Sequence, residues 1–148
     1  LSTENKTMAK KTSKKTVKKQ TAKINIKRPK RSTDKQLALS AARIAQDRNC
    51  TDITILDLRG ISPAANYFVI ATGTSDRQSR TVADEISQEA KKQGHQRFGI
   101  AGYERGQWIL LDFVTVVVHI FDAEHRNYYN LEMLWGDAKQ LKIDKKQE

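Results

Sequence analysis

Residues 72–80 read TGTSDRQSR, where a glycine, small hydroxyl side chains and a charged helical turn follow an apolar run. Backbone N–H groups at such a strand-to-helix turn can cradle a phosphate, because a helix N-terminus carries partial positive charge. A Walker-type loop, however, needs further glycines and a lysine ahead of the helix. Here Gly73 stands alone, and Asp76 sits where a phosphate would be repelled. A nucleotidyltransferase-like turn is closer in form, but that chemistry adds paired carboxylates on a nearby strand to hold magnesium. The next strand candidate, RFGIAGY, has none, and Asp57 and Asp112 each stand singly on other strands. The competing reading is a helix cap: Ser75 is followed three residues later by Gln78, the capping-box spacing. The missing ligands favour the cap.

The remaining reactive side chains make no constellation either. His95, His119 and His125 do not pair with Cys, Asp or Glu at metal-ligand spacing. His119 lies between Val118 and Ile120 and reads as a hydrogen-bonded residue near the core rather than a catalyst. Cys50 has no obvious activating base and no partner for a disulfide, which suits a reducing interior. No catalytic residue, metal site or cofactor site is assigned, and the expectation is a protein that is not an enzyme.

The elements that carry these residues follow from periodicity. Ser32 or Thr33 can cap a helix over about 34–48, with Leu37, Ala41, Ile44 and Ala45 on one face. Strands are predicted at 53–59 and 67–73, separated by the turn chemistry of GISPAAN, and a second helix at 76–93 stops at Gly94. Residues 98–102, 108–113 and 115–121 read as three more strands, the first two joined by a turn at Glu104-Arg105-Gly106. Val114 alone separates the last two, which is shorter than a standard loop. Asp122 can cap a last helix over about 123–135, with Tyr128, Leu131, Leu134 and Trp135 along one side and Tyr129 and Met133 on a neighbouring stripe. The strand–helix–strand crossover implies a parallel pair and the hairpins antiparallel ones, so the expected fold is α/β (α+β): a mixed five-stranded sheet with packed helices.

Charge divides the chain. Residues 1–32 carry 12 Lys/Arg against Glu4, a net of +11, which leaves −1 for the other 116 residues. Three segments are therefore expected: a Lys-rich arm at 1–32, a domain at 33–138 and a charged, frayed tail at 139–148. The arm is too poor in apolar residues to offset the entropy of ordering, so it reads as disordered in isolation. It lacks the apolar centre of a secretory signal. It is acid-poor like an organelle transit peptide, but Lys-rich where those are Arg-rich. No stretch approaches the roughly 20 apolar residues of a membrane span. Eleven excess charges on one arm favour phosphate contact over a merely solubilising role, through Lys10, Lys11, Lys14, Lys15, Lys18, Lys19, Lys27, Arg28, Lys30 and Arg31.

In WILLDF (108–113), Trp108, Leu110 and Asp112 alternate onto one face of the strand and Ile109, Leu111 and Phe113 onto the other. If the helices cover the second set, the first stands on a thinly covered face, where Trp beside Leu and a carboxylate suits a protein-binding hot spot. Residue type alone leaves open whether Trp108 is such an anchor or core.

Over roughly 34–137 the chain resembles the ribosomal silencing factor RsfS, or Iojap-like, family. The carriers are LDLRGISPAANYFVIATGTSDRQSRTVADEI (56–86), WILLDF (108–113) and VVVHIFDAEHRNYYNLEMLWGDA (116–138). The resemblance implies a nucleotidyltransferase-like sheet without the catalytic carboxylates. It also implies a non-enzymatic function: binding the large ribosomal subunit through universal ribosomal protein fourteen, blocking the small subunit and repressing translation under nutrient limitation. Self-association as a homodimer is implied too, as is a cytoplasmic location for bacterial members and a mitochondrial or plastid one for others. Trp108 matches the Trp that begins the family's binding strand, which Leu110 and Asp112 continue. Arg126 and Tyr129 match the Arg-x-x-Tyr of its last helix. The long Lys-rich arm departs from the family pattern, and contact with ribosomal RNA is our expectation for it. Two other classes stay open on the sequence: a residual nucleotide-binding, nucleotidyltransferase-like enzyme using TGTS, and a general RNA-binding protein acting through the arm.

Overall fold

The structure, a computed structural model, describes residues 30–144. The compact unit begins at Arg31. Of the basic residues assigned to the arm, only Lys30 and Arg31 fall within the described residues, and both are exposed.

Helix α1 (Asp34–Asp47) starts at a full capping box: Thr33 accepts from the Gln36 N–H, and the Gln36 side chain accepts from the Thr33 N–H. Its apolar face, Leu37, Ala38, Ala41, Ala42 and Ala45, is buried, and small alanines let the helix approach the sheet closely. Strand β1 (Thr51–Asp57) follows, bulged between Thr51 and Thr54, and runs antiparallel to β2 (Tyr67–Thr72). Helix α2 (Asp76–Lys92) buries Ser79, Val82, Ala83, Ile86 and Ala90 on one stripe. The strands β3 (Gly99–Ala101), β4 (Trp108–Asp112) and β5 (Val116–Phe121) then form a meander of two antiparallel pairs.

The parallel pair is β2 with β5, so the crossover holds α2, β3 and β4 and not the helix alone. Between β4 and β5 the chain turns through Val114 at φ 72°, with the Phe113 N–H donating to the Val116 carbonyl at 2.9 Å. The connection is thus the three residues 113–115 and not Val114 alone, with the left-handed step at its centre.

Two expectations need correction. The sheet has six strands, in the order β3-β4-β5-β2-β1-β6, because Lys139–Leu141 forms β6, antiparallel to β1. These residues were expected to fray with the tail; pairing with the free edge of β1 satisfies their backbone instead, and charge composition does not register that. Nor does the last helix run to residue 135. It splits into α3 (Ala123–Tyr129) and the single turn α4 (Leu131–Leu134) at Asn130, which is left-handed at φ 45°. A break resets the helical phase, so the expected inward stripe is split: Leu131 and Trp135 pack on the sheet, while Tyr128 is 80% and Leu134 72% exposed.

Both long helices pack on one face of the sheet. There Ile55, Tyr67, Val69, Ala71, Ile109, Leu111, Phe113, Val116, Val118 and Ile120 join the helix stripes in the main core. A second, smaller core of Leu56, Leu58, Ile70 and Phe121 lies on the opposite face.

Candidate functional site: the open face of the sheet

The TGTS turn is a cap. The Ser75 hydroxyl accepts from the Gln78 N–H at 3.1 Å, and the Gln78 side chain takes the Thr74 N–H. A Cβ on Gly73 would lie 2.1 Å from the Ser79 hydroxyl oxygen. Glycine is needed there for close packing, and the helix's own side chains fill the concavity a phosphate would use.

The other reactive groups are engaged locally. Asp57 pairs with Arg59 at 2.8 Å on the face of Ile55, whereas Asp112 shares the opposite face with Trp108, so the two carboxylates cannot hold one ion. His125 Nδ1–H donates to the Asp122 carboxylate of the cap, 2.8 Å away. Burial pushes the Cys50 thiol up to about 11, which makes it a poor nucleophile. His95 is buried against Ser32, with Nε2 3.0 Å from both the Ser32 hydroxyl and carbonyl oxygens, and burial, then the nearby Arg31 charge, lowers its pKa. Ser32 also donates its N–H to the Gln93 carbonyl at 2.8 Å, so the folded body includes the last residue assigned to the arm. Among the described residues, no three His, Cys, Asp or Glu side chains gather as a metal site would require.

What remains is the face away from the long helices. Strand register lays it out in rows: Trp108, Phe121 and Thr72; then Leu110, His119 and Ile70; then Asp112, Val117, Phe68 and Leu56. Its cover is the segment from α3 to β6. Tyr129 lies over Trp108 with ring centroids 4.5 Å apart, and Trp135 meets Phe68 edge-on at 6.1 Å. Leu131, Trp135 and Ala138 close the Leu56–Ile70 side. Trp108, Leu110, Asp112 and Val117 remain partly exposed, while Ile109, Leu111 and Phe113 on the other side are sealed. The alternation read from WILLDF is thus the alternation in space. On the rim of the cover, Tyr128, Met133 and Leu134 point apolar surface outward, and Tyr129 is 42% exposed.

Beneath Trp108 the packing is aromatic. Its indole stacks on Phe121 at 4.9 Å, and its Nε1–H donates to His119 Nδ1 at 3.1 Å. Sequence periodicity placed His119 near the core but could not supply this bond, which joins neighbouring strands. Asp112 does local work as well: one carboxylate oxygen accepts the Val114 N–H at 2.7 Å and so fixes the left-handed turn. Arg126 is turned inward. Its side chain is 11% exposed and binds Glu132 at 2.7 Å, Thr72 Oγ1 at 2.8 Å and Thr54 Oγ1 at 3.4 Å. It thereby ties α3 to α4 and both to the sheet, and forms one wall of an open polar groove of about 700 Å³ at the ends of β1 and β2.

The arrangement is that of an α/β domain with one sheet face sealed and the other left half open. The chain belongs to the RsfS family: the family profile described as "Ribosomal silencing factor during starvation" matches residues 29–148. Ribosomal silencing factor RsfS of Bacillus subtilis is 42% identical over 110 residues, which span 74% of this chain and 93% of that protein. The chloroplastic protein Iojap of Zea mays is 32% identical over 106 residues, covering 72% of this chain and 46% of that one. Among solved structures, a crystal structure of a Chromobacterium violaceum protein is similar with a TM-score of 0.68 at 29% identity, over 78% of this chain and 92% of that one. Among the described residues no helix is long and apolar enough to cross a membrane.

Proposed function

We propose that this protein silences ribosomes by docking on the large subunit through universal ribosomal protein fourteen. Occupying that surface keeps the small subunit from joining and lowers translation when nutrients are short. The observation that carries this reading is the half-open sheet face around Trp108, Leu110 and Asp112, in a chain of the ribosomal silencing factor family. An aromatic anchor next to an aliphatic residue, with a carboxylate at the edge and exposed tyrosine, methionine and leucine on the rim, is the composition of a protein-binding hot spot. Tyr129 extends the face over the indole, and Arg126 holds the helix that carries Tyr129 in place. The protein acts as a wedge and turns over no substrate. Its site of action in a bacterium is the cytoplasm.

The basic arm adds contacts to ribosomal RNA. Lysines that neutralise phosphates release counterions, so this part of the affinity falls as salt rises. Residues 1–29 of the arm lie outside the described residues.

The test is co-sedimentation with purified large subunits, followed by a subunit-joining assay. Wild-type protein is expected to pellet with large subunits and to suppress joining. Trp108→Ala is expected to weaken binding by about 2 kcal/mol or more. A truncation for the arm should end at Lys30, since Ser32 belongs to the folded body; it should retain binding with a shallower salt dependence. Free joining of the two subunits at saturating protein would refute the reading, and loss of all binding on truncation would transfer it to the arm.

A further inference from the structure

His119 is a histidine in the apolar interior beneath the open face, and its place there has a cost. It is 4% exposed, and its Nε2 meets no hydrogen-bond partner among the described residues. An aliphatic side chain would fill the same strand position with no polar group to desolvate. The neighbours in the row, Leu110 and Ile70, are of that kind. The ring is wedged against Phe68, edge-on at 4.7 Å, and lies nearly parallel to Phe121 at 6.0 Å. What this position gains is the bond from Trp108. An indole N–H can only donate, so His119 Nδ1 must accept, and the ring is the neutral tautomer with its proton on Nε2. Burial reinforces the neutral form by pushing the pKa down to about 4.

Trp108 is then held on three sides: stacked on Phe121, covered by Tyr129, and tied at its one polar atom. Stacking fixes the plane of the indole but not which of its edges faces His119, since the two broad χ2 wells share that plane. The hydrogen bond removes this freedom.

We propose that His119 is a positioning residue for docking, whose Nδ1 locks the Trp108 indole in the pose the partner meets. This rests on the docking reading given above. It adds that the aromatic ledge is organised before the partner arrives, so less side-chain freedom is lost on binding.

The experiment compares His119→Phe, His119→Asn and Trp108→Ala in the full chain, by affinity for purified large subunits and by the indole N–H signals in ¹⁵N NMR. Phe keeps a ring but has no acceptor; Asn places an amide oxygen near the position of Nδ1. If Phe is too bulky to fold there, His119→Leu removes the acceptor in less volume. His119→Phe is expected to bind roughly three- to tenfold more weakly, the range for ordering one freed side chain. Its Trp108 indole N–H should exchange faster with solvent, while thermal stability changes little, because the orphaned Nε2 donor is lost together with the acceptor of Nε1–H. His119→Asn should restore affinity to within about twofold while being the less stable protein, a split that a purely structural role would not give. Wild-type affinity and indole protection in His119→Phe, with Trp108→Ala clearly weakened, would overturn the inference alone. Wild-type affinity in Trp108→Ala would overturn the docking reading and this inference with it.

Discussion

On one face of the sheet, Ile109, Leu111, Val118 and Ile120 lie beneath two long helices and are fully buried. On the other, Trp108, Leu110, Val117 and Asp112 come from the same two strands, and the cover over that face is only a broken helix and one helical turn. Asp112 aside, the residues differ little in apolar character; the covers differ in length and continuity. The two long helices together seal four strands, α1 over β1, β2 and β5 and α2 over β4 and β5, whereas α3 ends at Tyr129 because Asn130 leaves the helical conformation. The lesson is that the half-open face is made by what fails to cover it, more than by the strands themselves. It also separates duties: one face supplies stability, and the other can expose aromatic surface without losing the fold.

The contrast breaks most sharply at two adjacent leucines. Leu111→Ala, on the sealed face, should cost about 2–5 kcal/mol in denaturant unfolding, the range for a buried leucine. Leu110→Ala, one residue away, should cost about 1 kcal/mol of stability and show its main effect in large-subunit binding. Equal losses of stability at the two sites would mean that the second face is as closed as the first.

Acid should come next in size. An unfolded chain binds a proton at His119 below the ordinary pKa of 6.5, whereas the folded chain resists until about 4 because the ring is buried. The contribution of neutral His119 is therefore complete above pH 6.5 and declines as pH falls toward 4, for a total on the order of 3 kcal/mol. His95, also shifted down by burial, contributes with the same sign. Denaturant midpoints collected between pH 7 and pH 4.5 should fall in wild type, and the fall should be smaller in His119→Phe. An unchanged slope in that variant would place His119 in contact with solvent.

The smallest expected effect separates the two uses of Asp112. Asp112→Asn keeps an acceptor for the Val114 N–H and removes the charge, so stability should change by less than about 0.5 kcal/mol while large-subunit binding weakens by about 1 kcal/mol. Asp112→Ala removes the acceptor too and should destabilise the β4–β5 turn by about 1 kcal/mol. Calorimetric melting and co-sedimentation on the same preparations read both. If Asn binds like wild type, the carboxylate serves the turn alone.

Local physics made much of this protein legible in its residues. Thr33 and Ser75 cap where their hydroxyls meet free N–H groups three residues on, a relation contained within one turn. The faces of WILLDF follow from the two-residue repeat of a strand, and the capping nature of TGTS from the spacing of Ser75 and Gln78. The long family motifs named the relatives. Other features needed partners far along the chain. Lys139–Leu141 becomes a strand because β1 has an unpaired edge, and the Trp108–His119 bond exists because β4 and β5 lie side by side. Arg126 turns inward because Thr54, Thr72 and Glu132 converge on it from three elements. Composition and periodicity describe a segment's own preferences; which face stays open and which polar atoms meet is decided by packing, where groups distant in sequence compete for the same space and the same hydrogen bonds.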